Sequence, residues 1–456
     1  MPDPLRRSLH RRDPLAPLAW LVLPLPLWWV LGLATVGYFI VAVPMLVALL
    51  RLRPLRFPPG YGWWLGFLLW LCLSIVMLPL SAPGTIDQSL QQRAIPAAFR
   101  FAEYAAATIT LLWAFNLDRR RVPTERLVRL LAVLLLWTVA GGILGTLAPG
   151  FELRSAAEVL LPHSVTATPY VAAMIHPSAA QLQDLTGDGS AVGRAMAPYP
   201  YSNSWGNALG LLLPIGVAAA ATARTSRRRW GWGLLVVVAL VPALLSLNRG
   251  LWLALAIAGA AVWIQLLVTR RFGAAISATI VALLAVVALA LSPLGGAAAA
   301  RTTGNQPSND IRSFSVRRAL EVAEQSPILG YGGTRAQQGS NSTIAVGKSP
   351  TCPNCGNLPI GTNGQLWFSL VGQGFVGAFA YLMFHVAALV RLLRGRSVVP
   401  VAAGVSMLLA IWFEFVYDRV VSTSCIEFLV LAVGLRAMLP DRAGRPVATA
   451  TTAVPR

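Results

Sequence analysis

Long apolar runs separated by short polar breaks are the dominant pattern of this chain. About 20 apolar residues suffice for a helix to cross the hydrocarbon core of a bilayer. Residues 15–50 are apolar for long enough to cross twice, with a turn near residues 32–37. Further runs cover residues 61–80, 98–117, 127–147, 204–223, 230–247, 251–268, 274–294, 364–389, 399–416 and 421–435. The pattern predicts an all-α fold: a polytopic transmembrane helical bundle of about 12 spans. Two polar stretches interrupt it, residues 148–203 and residues 295–363, the second a long extracytoplasmic loop between spans 9 and 10. The implied division is residues 1–147 (spans 1–5), 148–203 (outer segment), 204–294 (spans 6–9), 295–363 (outer loop), 364–435 (spans 10–12) and a cytoplasmic tail, 436–456.

Composition supports a membrane protein. Of 456 residues, 56% are hydrophobic and 12% charged, roughly half the charged fraction of a soluble domain. The formal net charge of +20 raises the question of nucleic acid. The arginines, however, fall in clusters at residues 6–12, 51–56, 119–129, 224–229, 270–271 and 391–396, between apolar runs. If the spans alternate without a gap, every cluster lies on one face, which the positive-inside rule identifies as cytoplasmic. The expected partner is therefore the lipid bilayer and not nucleic acid. Both long polar stretches then lie outside. The start of the chain is too long and too proline-rich to read as a cleavable signal peptide.

One charge stands between two runs with no loop around it: Arg249, flanked by Asn248 and Gly250. A guanidinium at such a junction is costly unless it snorkels to the interface or faces a polar site. Both readings are open. In the second, its fork of donors suits a phosphate-like anion. On the same outer side, residues 315–324 have helical periodicity and stop at Ser326 and Pro327. Gly330, Tyr331, Gly332, Gly333 and Arg335 follow. The glycines allow either a tight turn or a close backbone approach to a ligand, with Arg318 and Arg335 as further cations.

These residues together resemble the O-antigen ligase and polymerase family. The resemblance rests on Ser246, Asn248, Arg249 and Gly250 at the junction, on the run from Ser326 to Gly332, and on Gly374 and Gly377 in the next span. It covers roughly residues 203–377. It implies an inverting, metal-independent glycosyltransferase without cofactor, in the bacterial cytoplasmic (inner) membrane with its site on the extracytoplasmic face. The donor would be a glycan on a polyprenyl diphosphate carrier, undecaprenyl diphosphate in this family, and the acceptor a glycan, lipid or protein. A repeat-unit polymerase of the same family is the alternative within the class, and a transporter of a small or lipid-linked solute is the alternative outside it. Arg249 and Asn363 are the expected catalytic residues, with Arg335, Arg318, Asn248, Tyr331 and Asn203 binding substrate.

Asn363 marks a departure. The family carries a histidine at this distance before the glycine pair, as a base or to orient the acceptor hydroxyl. Asparagine takes up no proton near neutral pH, although it can position a hydroxyl. His163 and His176 read as outer-loop residues, and His385 as lying near the inner end of its span. Glu103 and Glu427 lie within apolar runs, where Arg100 and Arg419 are the expected partners. Asp418 and Arg419 occupy a short outer turn where a role in the site stays open. Cys352 and Cys355 are expected to form a disulfide on an oxidising face, since a zinc site would need further ligands.

Overall fold

The computed structural model describes residues 13–85, 88–166, 168–184, 191–273, 276, 279, 280, 307–335 and 360–440. Prolines decide how the chain begins. Pro17, Pro24 and Pro26 cannot all sit inside one continuous helix, because each lacks a donor and crowds the preceding turn. Residues 15–50 accordingly form three pieces, α1 (Ala16–Val22), α2 (Leu25–Val30) and α3 (Gly37–Leu50), instead of two full spans. Helix α4 (Tyr61–Ser74) tightens into a 3-10 turn, Ile75–Met77. Helix α5 (Leu90–Asn116) starts eight residues earlier than its apolar run, because Ser89 and Gln92 close a capping box that satisfies the first backbone donors. Helix α6 spans Thr124–Leu147.

Residues 148–203 hold short helices α7 (Ala156–Leu160), α8 (His163–Thr166) and α9 (Pro169–Ile175). Strands β1 (Ala180–Asp184) and β2 (Ala191–Ala195) then pair antiparallel, Ala180 opposite Ala195. This hairpin corrects the all-α expectation locally. The chain continues through α10 (Ser202–Ala221), α11 (Ser226–Leu245), α12 (Arg249–Val268) and α13 (Pro307–Gln325). It finishes with α14 (Gln365–Leu392), α15 (Val398–Glu414) and α16 (Val421–Ala437). Among the described residues five helices, α6, α10, α11, α12 and α14, are long and apolar enough to cross a membrane. Shorter apolar helices cover Gly37–Leu50, Tyr61–Met77 and Val398–Glu414. The run expected at residues 274–294 falls almost wholly outside the described residues, as do Cys352 and Cys355.

Helix α16 is the axis of the bundle. Every residue from Val421 to Arg436 is buried, and the helix packs against α5, α15 and α10. Its small residues, Ser422, Thr423, Ser424 and Gly434, let neighbouring backbones come close without a driving force from water. Helices α11 and α12 lie at the periphery, with 22% and 11% of their apolar windows buried against 72% for α10. Their exposed Val237, Val241, Leu253 and Val262 form the apolar surface expected of helices bathed in lipid.

Helix α14 is interrupted at Gly374, which has φ 66° and ψ −171°. Residues 326–333 fill the break: Tyr331 N–H donates to Val371 O (2.9 Å), Gly332 N–H to Gly372 O (2.7 Å) and Phe375 N–H to Pro327 O (2.8 Å). A Cβ on Gly374 would lie 2.6 Å from Pro327 O, and one on Gly330 would lie 2.5 Å from Gly374 N. The two glycine motifs that carry the family resemblance are thus each other's packing partners.

Candidate functional site

The junction between α11 and α12 is held without a loop. Leu247 takes a left-handed φ of 49°, and Asn248 Oδ1 caps α12 by accepting from Leu251 N (3.2 Å). Tyr417 Oη also donates to Asn248 Oδ1. Trp252 Nε1 donates back to Ala243 O (3.0 Å), and Trp412 Nε1 donates to Gly250 O (2.9 Å). A Cβ on Gly250 would sit 2.5 Å from Tyr417 Oη, which is why glycine follows the arginine. Arg249 is therefore the first residue of a helix, at the end where the dipole favours an anion.

Two more arginines belong to this end of the molecule. Arg194 on β2 is buried, donating through Nη2 to Asn203 Oδ1 (3.2 Å) and through Nε to Ser246 O (3.4 Å). Burial pushes its pKa below the usual arginine value, and the charges of Arg312 and Arg249 push the same way against Tyr417. Arg312 on α13 donates to Val416 O (3.2 Å) and is an electrostatic neighbour of Arg249 as well. Burial pushes Tyr417 up to about 12, although Arg194, Arg312 and Asn248 oppose it. Sequence reading missed Arg194 and gave Arg312 no role. Asn203, which it did nominate, is the partner of Arg194.

A cavity of about 440 Å³ lies between α13 and the turn after α15, walled by Arg312, Ser313, Arg317, Asn363 and Phe415. Asn363 has a left-handed φ of 73°, which asparagine adopts more readily than most residues. Asp418 fixes it there: Oδ2 accepts from Asn363 N (3.1 Å) and Oδ1 from Gly364 N (3.0 Å). Asn363 Nδ2 is buried with no hydrogen-bond partner among the described residues. Burial raises the Asp418 pKa above the ordinary carboxylate value, with the two backbone donors, Arg100 and Arg312 opposing. The turn is anchored from below by Gln365, whose Oε1 accepts from Arg419 N (3.3 Å) while its Nε2 donates to Tyr104 Oη (2.7 Å).

The other nominated residues are engaged elsewhere. Arg335, 1% exposed, donates to the carbonyls of Leu78, Leu80, Tyr331, Gly333 and Thr334. Burial and then Arg93 lower its pKa to about 10, so it stays charged at neutral pH. Tyr331 is buried beneath it among Ala82, Val322 and Val371. Arg318 pairs with Glu321 (2.8 Å) and donates to Pro83 O (2.7 Å). One helical step away, Arg317 faces the cavity in its place.

The expected acid–arginine pairs are present. Arg100 meets Glu103 at 2.8 Å, and Arg419 meets both Glu427 and Glu414. His385, expected near the inner end of its span, instead contacts Glu414 and Glu427 beneath the turn between α15 and α16. It meets them there because Arg419 reaches inward and Glu427 lies only two turns into α16.

Residues 234–351 match the family model described as O-Antigen ligase, so the resemblance read from the motifs stands on this segment. The matched stretch begins in α11 and takes in the Arg249 junction and α13. It supports a multi-pass membrane protein of the glycosyltransferase-like O-antigen ligase or polymerase kind. No curated protein matches the chain.

Proposed function

We propose that this protein transfers a glycan from a polyprenyl diphosphate carrier to an acceptor hydroxyl on the extracytoplasmic face of the cytoplasmic membrane, by inversion and without a metal. The observation that carries the proposal is the gathering of Arg194, Arg249 and Arg312 at the capped start of α12, beside a cavity bounded by Asn363. Their planar forks of donors suit the two phosphate groups of such a carrier. In the reaction the acceptor oxygen attacks the anomeric carbon and the bond to the diphosphate oxygen breaks. Negative charge grows on the leaving diphosphate, so fixed cations stabilise the transition state more than the ground state. Asn363 offers its buried amide N–H to the acceptor oxygen. Asp418, which holds Asn363, takes the hydroxyl proton that asparagine cannot accept.

The test is transfer from a synthetic polyprenyl diphosphate glycan by the purified protein. Asp418→Asn should lower turnover and abolish any acid limb of the pH profile while leaving donor binding intact. Full transfer by both Arg249→Ala and Asp418→Asn would overturn the assignment. Absence of transfer by the wild type, together with uptake into sealed vesicles, would replace it with transport.

A further inference from the structure

His385, Glu414, Glu427 and Arg419 form a fully buried cluster between α14, α15, α16 and the outer turn, away from the cavity walls. The hydrogen bonds fix how many protons it holds. His385 Nδ1 lies 2.9 Å from Tyr381 O, a carbonyl that can only accept, so Nδ1 carries hydrogen. His385 Nε2 lies 2.5 Å from Glu427 Oε1. A neutral imidazole with its hydrogen on Nδ1 offers only a lone pair at Nε2, and a carboxylate likewise offers only lone pairs. The contact requires one more proton, on Nε2 or on Glu427.

Charge balance requires the same proton. Two carboxylates against the single guanidinium of Arg419 leave one net negative charge, in a place where an unbalanced charge is strongly disfavoured. The remaining polar neighbours do not supply the missing charge. Tyr381 comes from α14 and Tyr104 from α5, both neutral, and Arg100 is already paired with Glu103. Phe384 and Phe428 close the sides with aromatic rings. Glu414 Oε2 is buried with no donor facing it among the described residues.

We propose that this cluster is a proton-binding site: one proton shared between His385 and Glu427 neutralises it and keeps Arg419, and with it the turn that carries Asp418, in place. The link to the cavity is covalent and short, since Asp418 precedes Arg419 and Arg419 N is held by Gln365. A divalent cation is the competing occupant, because one ligand atom from each of the three side chains lies within 4.8 Å of the others. Beside Arg419 it would leave a surplus positive charge.

Alkaline removal of the shared proton would leave two carboxylates against one guanidinium and break the contact between His385 Nε2 and Glu427. Stability is therefore highest where the cluster holds its proton and declines where alkaline pH removes it. Full-length protein in detergent should have a lower Tm at pH 9 than at pH 6. In Glu427→Gln the amide can donate to the bare Nε2 lone pair, Arg419 is balanced by Glu414 alone, and the alkaline decline should disappear. His385→Gln should lower Tm sharply at all pH values, and His385→Gln with Glu427→Gln should recover much of the loss. These readouts do not depend on glycosyl transfer and hold whether or not that activity is found. The proposal is overturned by an unchanged alkaline decline in Glu427→Gln, by a double variant no more stable than His385→Gln, or by stoichiometric metal in the wild type that Glu427→Gln releases.

Discussion

At the scale of single residues, Arg249 was legible because a charge stood alone between two apolar runs, which no solvated loop explains. Arg249→Lys keeps the charge but loses the planar fork. It should lower transfer from a polyprenyl diphosphate glycan by about 100-fold, as removal of one preorganised donor typically does. Gly250→Ala tests the geometry behind it. The new methyl would meet Tyr417 Oη at 2.5 Å, displacing it from Asn248, so activity should fall while the charge at residue 249 is untouched. Arg194 and Arg312 were not legible in the same way. Each sits in a polar stretch where arginine is ordinary, and only the docking of β2 and α13 brings them to Arg249. Asn363 was found through its distance from Gly377. Its hold on Asp418 joins residues 55 apart in sequence, which no local pattern encodes.

At the scale of elements, apolar period and length found most of the helices. Helix α16, for instance, begins at the residue where its apolar run begins. Devices that break a run without changing its polarity stayed hidden. The interruption of α14 at Gly374 lies in a continuous apolar stretch, so hydropathy passes over it. Gly374→Ala should destabilise the protein by more than about 1 kcal/mol, because it combines a left-handed φ with a backbone oxygen 2.6 Å from the new Cβ. Thermal unfolding measures this. The prolines of residues 15–50 act in the same way, splitting into three pieces a run whose hydropathy predicts two spans. The short helices between α6 and β1 carry a pH dependence of their own. His176 lies 2.8 Å from Glu158 and 3.5 Å from Glu152. Burial disfavours its charged form, but the two carboxylates outweigh it and raise its pKa. This contact is complete below the unfolded value of about 6.5 and is lost as pH rises through the folded one. Protection of the α7 and α9 amides, measured against the intrinsic exchange rate at each pH, should therefore fall at alkaline pH in the wild type, and His176→Gln should show little such change.

At the scale of the whole molecule, the alternating arginine clusters predict which face the site occupies. A membrane-impermeant thiol reagent applied from outside should label Ser313→Cys on α13 and miss Ser226→Cys at the start of α11. The opposite labelling would put the cavity on the wrong side for a lipid-linked donor. Segregation of burial adds something that hydropathy alone does not give: α16 and α12 are both apolar, yet one is the axis and the other faces outward.

The outward position of α12 has a consequence for how a donor would travel. Arg249 is the first residue of a helix with only 11% of its apolar window buried. On the proposed reading, a long isoprenoid can lie along that flank while its headgroup turns in toward the arginines, so capture takes place in two dimensions. Encounter would then be governed by the number of donors per lipid and not by their concentration in the surrounding water. Turnover in proteoliposomes should follow the mole fraction of donor in the membrane and stay unchanged when the suspension is diluted with buffer.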